Sequence, residues 1–260
     1  MTRIPESVSG RPQRRSPHSS HQVALSLLLT TCLPLTFLFT AQPAQADRAN
    51  STIVDSTRGG GKVVALTFDD GPHPVYTPQL LEVLRKYNVK ATFCLWGDHV
   101  QEHPELVREI VDAGHVLCNH SMHHADMGTW SRARTRADIK QTNAAIHRAA
   151  PRAQIRYFRA PFGSWGKSPE VAARLGLQPL GWRLSVGDWN LPGVDVLVHR
   201  LEQGVTPGAV VLLHDGGGDR SQTVEAVARI IPKLRAEGWR FGLPAPRGRP
   251  SRPTASLLQD

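Results

Sequence analysis

A run of apolar and β-branched residues, Val63–Phe68, ends in two adjacent carboxylates, Asp69 and Asp70, and a Gly-Pro turn. An apolar run of this length between turn residues is typical of a strand buried on both faces, as in a parallel sheet. In α/β folds the functional residues lie where such strands end, because a rigid scaffold holds the loops there. Two neighbouring carboxylates at that position repel each other unless a cation or a proton lies between them. The pair therefore indicates a functional site if the chain supplies partners, and otherwise a turn cap beside a solvated carboxylate.

The first 46 residues have the pattern of an export signal. Four arginines precede an apolar run from Val23 to Thr40, and Ala44-Gln45-Ala46 fits the small-x-small pattern of a cleavage site. We therefore expect a signal peptide over residues 1–46 and a secreted, cell-wall-associated protein with no stable membrane insertion after cleavage. The alternative is an uncleaved anchor, because the apolar run approaches the length of a membrane span.

The net charge of the chain narrows the class of binding partner. The formal net charge is +9, of which the arginine-rich leader contributes a net +3 and the tail from Pro244 a net +2. The remaining charge is mild, and the sequence has no basic stripe with interleaved aromatic residues, so we expect no nucleic-acid partner.

After cleavage Cys94 and Cys118 would remain, each in a strand-like stretch, and either a disulfide or two buried thiols fits.

Strand and helix patterns alternate after a glycine-rich linker, residues 47–61. Strands are predicted at 63–68, 90–96, 115–118, 155–158, 177–182, 209–214 and 239–241. Helices are predicted from Thr77 as N-cap, from Pro104 to Gly114, and at 134–149, 169–175, 194–202 and 221–238. This order favours a parallel α/β fold, either a barrel or a doubly wound sheet, and periodicity alone does not separate the two. The Pro/Arg/Ser-rich tail, 244–260, has little to bury and is expected to be disordered.

Histidines follow the third predicted strand. His120 and His124 are four residues apart, which places both imidazoles on one side of a helical turn or tight loop, where they could share a metal ion. A carboxylate would complete a two-histidine, one-aspartate site with open positions, an arrangement typical of catalytic metals. Spacing leaves open which two of His120, His123 and His124 would bind, and a solvated histidine cluster is the alternative.

Three further strand ends carry polar residues. In Arg159-Ala160-Pro161-Phe162-Gly163, an arginine before a rigid turn can hold a carboxylate in a fixed direction. Gly187-Asp188-Trp189 offers an aromatic wall for a sugar, and Val210–His214 is a buried strand that ends in a histidine. Taken singly, each has a structural alternative: a surface arginine, a buried tryptophan beside a capping aspartate, and a structural histidine.

Together the five strand ends resemble the motifs of the polysaccharide deacetylases, the NodB-homology group also called carbohydrate esterase family 4. The motifs span Lys62–Gly242, nearly the whole chain after the leader. The resemblance implies a single catalytic domain, 62–243, with an α/β fold of the distorted (β/α)7-type barrel class and a bound divalent metal, usually zinc.

The resemblance also implies a role for each matched residue. The metal ligands would be Asp70, His120 and His124. Asp69 would be the catalytic base, Arg159 the residue that orients it, His214 the general acid and Asp188 the residue that tunes that acid. Trp189, Leu212, Pro161 and Phe162 would bind substrate. In place of the acidic run that many members have before the Asp-Trp pair, this chain has Arg183–Gly187, which leaves the substrate open.

We therefore expect a monomeric, metal-dependent enzyme that removes N-acetyl groups from N-acetylglucosamine-containing glycans, peptidoglycan or chitooligosaccharide, and releases acetate. Two alternatives remain: an acetylxylan O-deacetylase with the same machinery, and a catalytically silent glycan-binding module.

Overall fold

The computed structural model describes residues 50–57 and 61–245. The predicted signal peptide, 1–46, and residues 246–260 of the predicted tail lie outside this range. None of the helices within it combines the length and the apolar character that a membrane span requires.

The described chain alternates strands with helices. The strands are β1 Val63–Asp69, β2 Thr92–Leu95, β3 Val116–Asn119, β4 Ile155–Phe158, β5 Gln178–Pro179, β6 Leu184–Ser185, β7 Val210–His214 and β8 Arg240–Phe241. The helices are α1 Tyr76–Lys86, α2 Gly97–Glu102, α3 Pro104–Asp112, α4 Arg132–Ala149, α5 Ser168–Arg174, α6 Val194–Gly204 and α7 Ser221–Ala236. Two 3-10 turns, Pro161–Gly163 and Asp188–Asn190, follow β4 and β6.

The strands form a parallel sheet in the order β5-β4-β3-β2-β1-β7-β6, with β8 paired to β1 beside this path. Strands β5 and β6 are at opposite ends of the order, yet only residues 180–183 connect them. Such a connection spans at most about 18 Å, whereas the outer strands of a flat seven-stranded sheet lie about 29 Å apart. The sheet must therefore curl, which selects a distorted barrel over a doubly wound sheet and confirms the predicted fold class.

Alternate side chains of the strands separate two parts of the core. Leu66, Phe68, Phe93 and Leu213 belong to the large cluster that packs against the helices. Ala65, Cys94, Cys118, Tyr157 and Val210 form a smaller cluster on the opposite, inner face of the sheet. Because side chains alternate along a strand, Asp69 and His214 continue this inner face toward the carboxyl ends of β1 and β7.

The two cysteines are register partners on β2 and β3, with Cα atoms 4.1 Å apart, and they form a disulfide. The structure therefore takes the first of the two alternatives that the sequence left open.

Several predicted boundaries are corrected. The first helix begins at Tyr76, and Thr77 is not its N-cap, because the Thr77 hydroxyl lies inside the first turn and accepts a hydrogen bond from the His73 amide. The predicted strand 177–182 keeps only the two residues of β5. Helix α2 and strand β6 were not predicted, since six and two residues are too few to show periodicity.

Part of the predicted linker packs on the sheet. Val54 bridges Leu180, Ser56 bridges Ala209 and Thr57 bridges Pro244. Residues 54–57 thus lie between the β5 side and the β7 side of the sheet and are not a free spacer. The start of the predicted tail is also packed, because Ala245 is buried.

Candidate active site

The polar strand ends lie at one edge of the sheet. Asp69 at the end of β1 is the register partner of His214 at the end of β7. Asn119, which precedes the histidine segment, ends β3 and is the register partner of Phe158 on β4. Because all these strands are parallel, their carboxyl ends bring together residues that are more than a hundred positions apart in the chain.

Three ligand atoms converge beside β1. Asp70 Oδ1 lies 3.1 Å from His124 Nε2 and 3.3 Å from His120 Nε2, and the three groups could hold a metal ion with ligand atoms within 4.8 Å of one another. His123 does not join them, since its Nδ1 lies 3.0 Å from Asp98 Oδ1. The geometry therefore selects His120 and His124 from the three histidines.

The donor set fits a divalent metal. Asp70 Oδ1 is buried and has no hydrogen-bond partner within the described residues. His120 Nδ1 donates to the Arg159 carbonyl oxygen at 2.9 Å, so in the neutral ring the lone pair is on Nε2, on the side of Asp70. Acceptor atoms that face one another at this distance need a cation or a proton between them.

The charge balance points the same way. Burial lowers the pKa of His120, but the carboxylates of Asp69 and Asp70 raise it more, above its ordinary value. Burial raises the pKa of Asp70, but the imidazoles of His120 and His124 beside it lower it more, well below its usual range. The site thus favours a positive charge among its carboxylates, which zinc bound by nitrogen and oxygen ligands would supply.

The backbone around Asp70 is unusual. Asp70 has a φ of 70° and His124 a φ of 49°, left-handed values that cost free energy for residues other than glycine. Gly217 packs directly on Asp70, since a Cβ atom there would lie 2.7 Å from Asp70 Oδ2. The loop after β7 therefore packs against the Asp70 carboxylate, and a residue larger than glycine at position 217 would collide with it.

The loop that carries the histidines is anchored by its backbone. The Ser121 amide donates to Asn119 Oδ1 and the Met122 amide donates to Asp138 Oδ1. At the start of α2, the Gly97 amide donates to the Ser121 carbonyl. These bonds hold the loop against α2 and α4 and so place both imidazoles.

Arg159 is completely buried and holds Asp69. Its Nη1 donates to Asp69 Oδ1 at 2.6 Å and to Thr67 Oγ1 at 2.9 Å. Its Nε and Nη2 donate to the carbonyl oxygens of Leu180 and Gly181, both at 3.0 Å. Since the guanidinium is held on several sides, Asp69 Oδ1 is fixed, and Oδ2 is left on the side of His120, 3.6 Å from its Nε2.

His214 is held by Asp188. Its Nδ1 donates to Asp188 Oδ1 at 2.9 Å, and Asp188 Oδ2 accepts from the His214 amide and from Thr223 Oγ1, each at 2.9 Å. Burial lowers the pKa of His214, but the hydrogen bond and charge of Asp188 raise it more, so the net shift is upward. The imidazole therefore keeps its proton to a higher pH than a free histidine.

Two exposed aromatic rings flank these groups. The Trp189 ring lies edge-on to His214 with centroids 5.4 Å apart, and the Phe162 ring lies edge-on to His124 at 4.6 Å. Phe162 is 71% exposed, whereas Pro161, which precedes it, and Leu212 on β7 are buried. The two rings are thus available to a ligand, and Leu212 lies on the inner face of β7, two residues before His214.

Two residues of this edge were missed by sequence reasoning. The Trp96 ring lies 4.9 Å from that of His124, and its Nε1 donates to Asp98 Oδ2 at 3.1 Å. Asp215 is buried and accepts a hydrogen bond from Thr77 Oγ1 at 2.5 Å, and burial raises its pKa to about 7. Both directly follow a strand, β2 and β7, which is the signal that could have drawn attention to them.

Known proteins share this sequence and fold. Residues 56–180 match the model of the family described as polysaccharide deacetylase. A chitooligosaccharide deacetylase of Sinorhizobium fredii is 38% identical over 191 residues, which cover 69% of this chain and 89% of the relative. The chain belongs to the polysaccharide deacetylase family. The predicted family, with its NodB-homology and carbohydrate esterase family 4 names, is therefore confirmed.

Two other members show the breadth of the polysaccharide deacetylases. A peptidoglycan-N-acetylglucosamine deacetylase of Bacillus cereus is 39% identical over 183 residues, which cover 69% of this chain and 85% of the relative. The solved structure of a family 4 pseudoenzyme from Bacillus anthracis is 35% identical and superposes with a TM-score of 0.65. That match covers 70% of this chain and 63% of the pseudoenzyme's chain.

Proposed function

We propose that this polysaccharide deacetylase is a secreted, zinc-dependent enzyme that removes N-acetyl groups from N-acetylglucosamine-containing glycans and releases acetate. The observation that carries the proposal is the buried Asp70 Oδ1, which has no hydrogen-bond partner among the described residues and faces two imidazole nitrogens at 3.1 and 3.3 Å. Asp69 and His214, side by side on β1 and β7, supply a base and an acid beside it.

The relatives support the substrate class. The matched proteins include deacetylases named for chitooligosaccharide and for peptidoglycan N-acetylglucosamine. Both are polymers or oligomers of an N-acetylated sugar, and the exposed rings of Phe162 and Trp189 offer apolar faces to sugar rings. We propose these two glycans as the substrates to test first.

Asp70, His120 and His124 would hold the metal. When bound, zinc supplies Lewis acidity, which polarises the acetyl carbonyl and makes water more acidic. The same three residues leave open positions, as in other catalytic two-histidine, one-carboxylate sites.

Asp69 Oδ2 would accept a proton from the attacking water. Arg159 holds the other carboxylate oxygen at 2.6 Å, so the basic oxygen is the one on the side of His120. The water oxygen forms the new bond to the acetyl carbon, and its proton passes to Asp69 as the bond forms.

His214 would give a proton to the leaving nitrogen. Because Nδ1 donates to Asp188, Nε2 is the nitrogen left for the substrate. When the carbon–nitrogen bond breaks, the amine takes this proton and leaves as the free amino sugar, and the acetyl group leaves as acetate. This division of roles requires an accepting Asp69 and a protonated His214 at the same pH.

The disulfide supports the proposed site of action. Disulfides persist in oxidising compartments outside the cytosol, and Cys94 and Cys118 form one inside the barrel. This agrees with export by the predicted signal peptide.

The same groups could hydrolyse an acetyl ester of xylan, so an O-deacetylase remains the second substrate class. The silent module remains too, because the Bacillus anthracis relative is called a pseudoenzyme. In this chain, however, each position that matches a metal ligand, the base or the acid carries a residue able to perform that role.

Acetate release from N-acetylchitooligosaccharide, peptidoglycan and acetylxylan tests the proposal, measured before chelation, after chelation and after addition of zinc. We expect release from one of the two N-acetylated glycans that chelation abolishes and zinc restores. Preferential release from acetylxylan would establish the ester alternative. Glycan binding without turnover by zinc-loaded protein would establish the silent module.

A further inference from the structure

A groove of about 470 Å³ lies between α4 and α5 and shares no residue with the candidate active site. Four of its lining residues are cations, Arg132, Arg136, Lys140 and Arg174, and the others are apolar. We call it the cationic groove.

The charges of the cationic groove are poorly neutralised. Arg132 forms an ion pair with Glu170, Nη2 to Oε2 at 2.8 Å, and Arg174 also lies near that carboxylate. Within residues 50–57 and 61–245, Arg136, Lys140 and Arg174 form no ion pair of their own. Like charges four residues apart on a helix repel each other, so Arg132, Arg136 and Lys140 destabilise α4 in the absence of an anion.

The sequence of α4 adds to this repulsion between like charges. Its first turn carries arginines and no acidic residue, although the N-terminal end of a helix is the end that favours negative charge. Its acidic residue, Asp138, is buried and accepts from the Met122 amide, so it does not face the groove cations. In the first turn of α4, Arg132 pairs with Glu170 and Arg134 stacks on the Trp130 ring. The positive charges of α4 that line the groove without an ion pair among the described residues are therefore those of Arg136 and Lys140, and uncompensated charge of this kind is typical of functional surfaces.

The arrangement of the cations indicates the shape of the ligand. Residues four apart on a helix are separated by about 6 Å along its axis, so the three cations of α4 span about 12 Å. A single small anion would reach only one or two of them, whereas a linear anion could contact them in series. Arginine, which supplies three of the four cations, binds phosphate in a bidentate manner.

A membrane surface fits less well. The large exposed apolar side chains of the described chain are Ile53, Val75, Phe162, Trp189, Leu191 and Val196, and none of them lines the groove. The groove could therefore attract an anionic surface but has no large apolar side chain to insert into it.

We propose that the cationic groove binds a linear polyanion whose charges are phosphodiesters, and that it does so independently of the deacetylase activity. The polymer is one without bases, since no aromatic ring of the described residues lines the groove to stack on them. Such a contact would hold the protein on a surface that carries anionic polymer while the candidate active site remains free.

Fluorescence anisotropy of a labelled, synthetic poly(glycerol phosphate) oligomer tests this with the full-length chain. The test variant is Arg136→Gln/Lys140→Gln/Arg174→Gln. The matched control, Arg152→Gln/Arg156→Gln/Arg240→Gln, removes the same charge from exposed arginines outside the groove. Thermal unfolding of all three proteins shows whether each is folded.

We expect the groove variant to bind about tenfold more weakly or worse, while the control stays within about twofold of the wild type. We also expect the slope of log affinity against log salt, between about 50 and 200 mM, to flatten by about 2 to 3 only in the groove variant. An equal loss of affinity in both variants would show that the effect depends on net charge alone, and would overturn the proposal. Loss of binding to anionic vesicles in the groove variant, without measurable oligomer binding, would overturn it in favour of a membrane. Full competition by millimolar inorganic phosphate at constant ionic strength would overturn it in favour of a single-anion site.

Discussion

The candidate active site has a β7 side, with Asp188 and His214, and a β1 side, with Asp70. The two sides differ in how completely the protein supplies hydrogen-bond partners to their buried carboxylates. On the β7 side, Asp188 accepts three hydrogen bonds, from the amide and the imidazole of His214 and from Thr223. On the β1 side, Asp70 Oδ1 is buried without a hydrogen-bond partner among the described residues, and two imidazole nitrogens face it. A buried polar atom without a partner costs about 1–3 kcal/mol. The Asp188–His214 pair is thus satisfied within the chain, whereas the β1 side would be completed by the proposed cation.

This difference predicts two classes of mutant. Substitutions on the β1 side should change metal affinity and activity together. Substitutions on the β7 side should change the pH dependence and leave metal affinity intact. Asp69 lies between the two sides and should belong to neither class, since Arg159 rather than a metal or His214 holds it.

The largest effect is expected for His120→Ala. The substitution removes one of three ligands, so zinc should no longer bind at equimolar stoichiometry and activity should fall by roughly 10³-fold or more. Zinc content by mass spectrometry and acetate release measure the two effects. The control is His123→Ala, which should keep both, because His123 faces Asp98. Equal zinc loss in the two variants would refute the assignment of ligands.

Asp69→Asn should keep zinc but lose activity by roughly 10²–10⁴-fold, the range typical of a lost general base. Asparagine can still accept from Arg159, but it leaves that buried guanidinium without a counter-charge, so the free energy of unfolding should also fall. Zinc titration, acetate release and thermal unfolding separate these effects. Full activity in a folded, zinc-loaded variant would remove Asp69 from the role of base.

Asp188→Asn should shift the pH profile. Asp188 raises the pKa of His214 against the effect of burial, so its neutralisation should lower that pKa. The imidazolium would then be lost at lower pH, and the alkaline limb of the kcat profile should move to lower pH, with activity at pH 8 reduced by about tenfold. Zinc affinity should be unchanged. An alkaline limb that stays in place would show that His214 is not the acid.

The sequence predicted those parts of the fold and of the site whose patterns lie within a few neighbouring residues. Apolar runs are local, so the bounds of β4 agree with the prediction, and the polar residues after β1, β3, β4 and β7 lie at one edge as expected. The resemblance to a known family added the ligand set, and the structure brings those three residues together. The residue pattern left barrel and doubly wound sheet open, the resemblance implied the barrel, and the non-local register, with β5 and β6 at opposite ends of one sheet, confirms it.

Residues whose role depends on packing against distant parts of the chain were harder to predict. Trp96 lies against His124 only because α2, too short to show a periodic pattern, turns the chain back after β2. Residues 54–57 were predicted as linker because short bridges to distant residues leave no periodicity. Gly217 belongs to a glycine run that, in sequence, is typical of any loop.

Gly217→Ala tests whether such a shape effect reaches the β1 side. At a φ of 69°, alanine costs about 1–2 kcal/mol of strain, and its Cβ would also press on Asp70 Oδ2 from 2.7 Å. The matched control is Gly238→Ala, which has a φ of 84° but no atom within 4 Å of the new Cβ. Both variants should lose similar stability in thermal unfolding, but only Gly217→Ala should displace the carboxylate and weaken zinc binding, by about tenfold in a chelator competition. The alkaline limb that reports on His214 should be the same in both. If Gly217→Ala binds zinc as tightly as Gly238→Ala, the loop after β7 does not position Asp70, and the two sides of the site are more independent than the packing indicates.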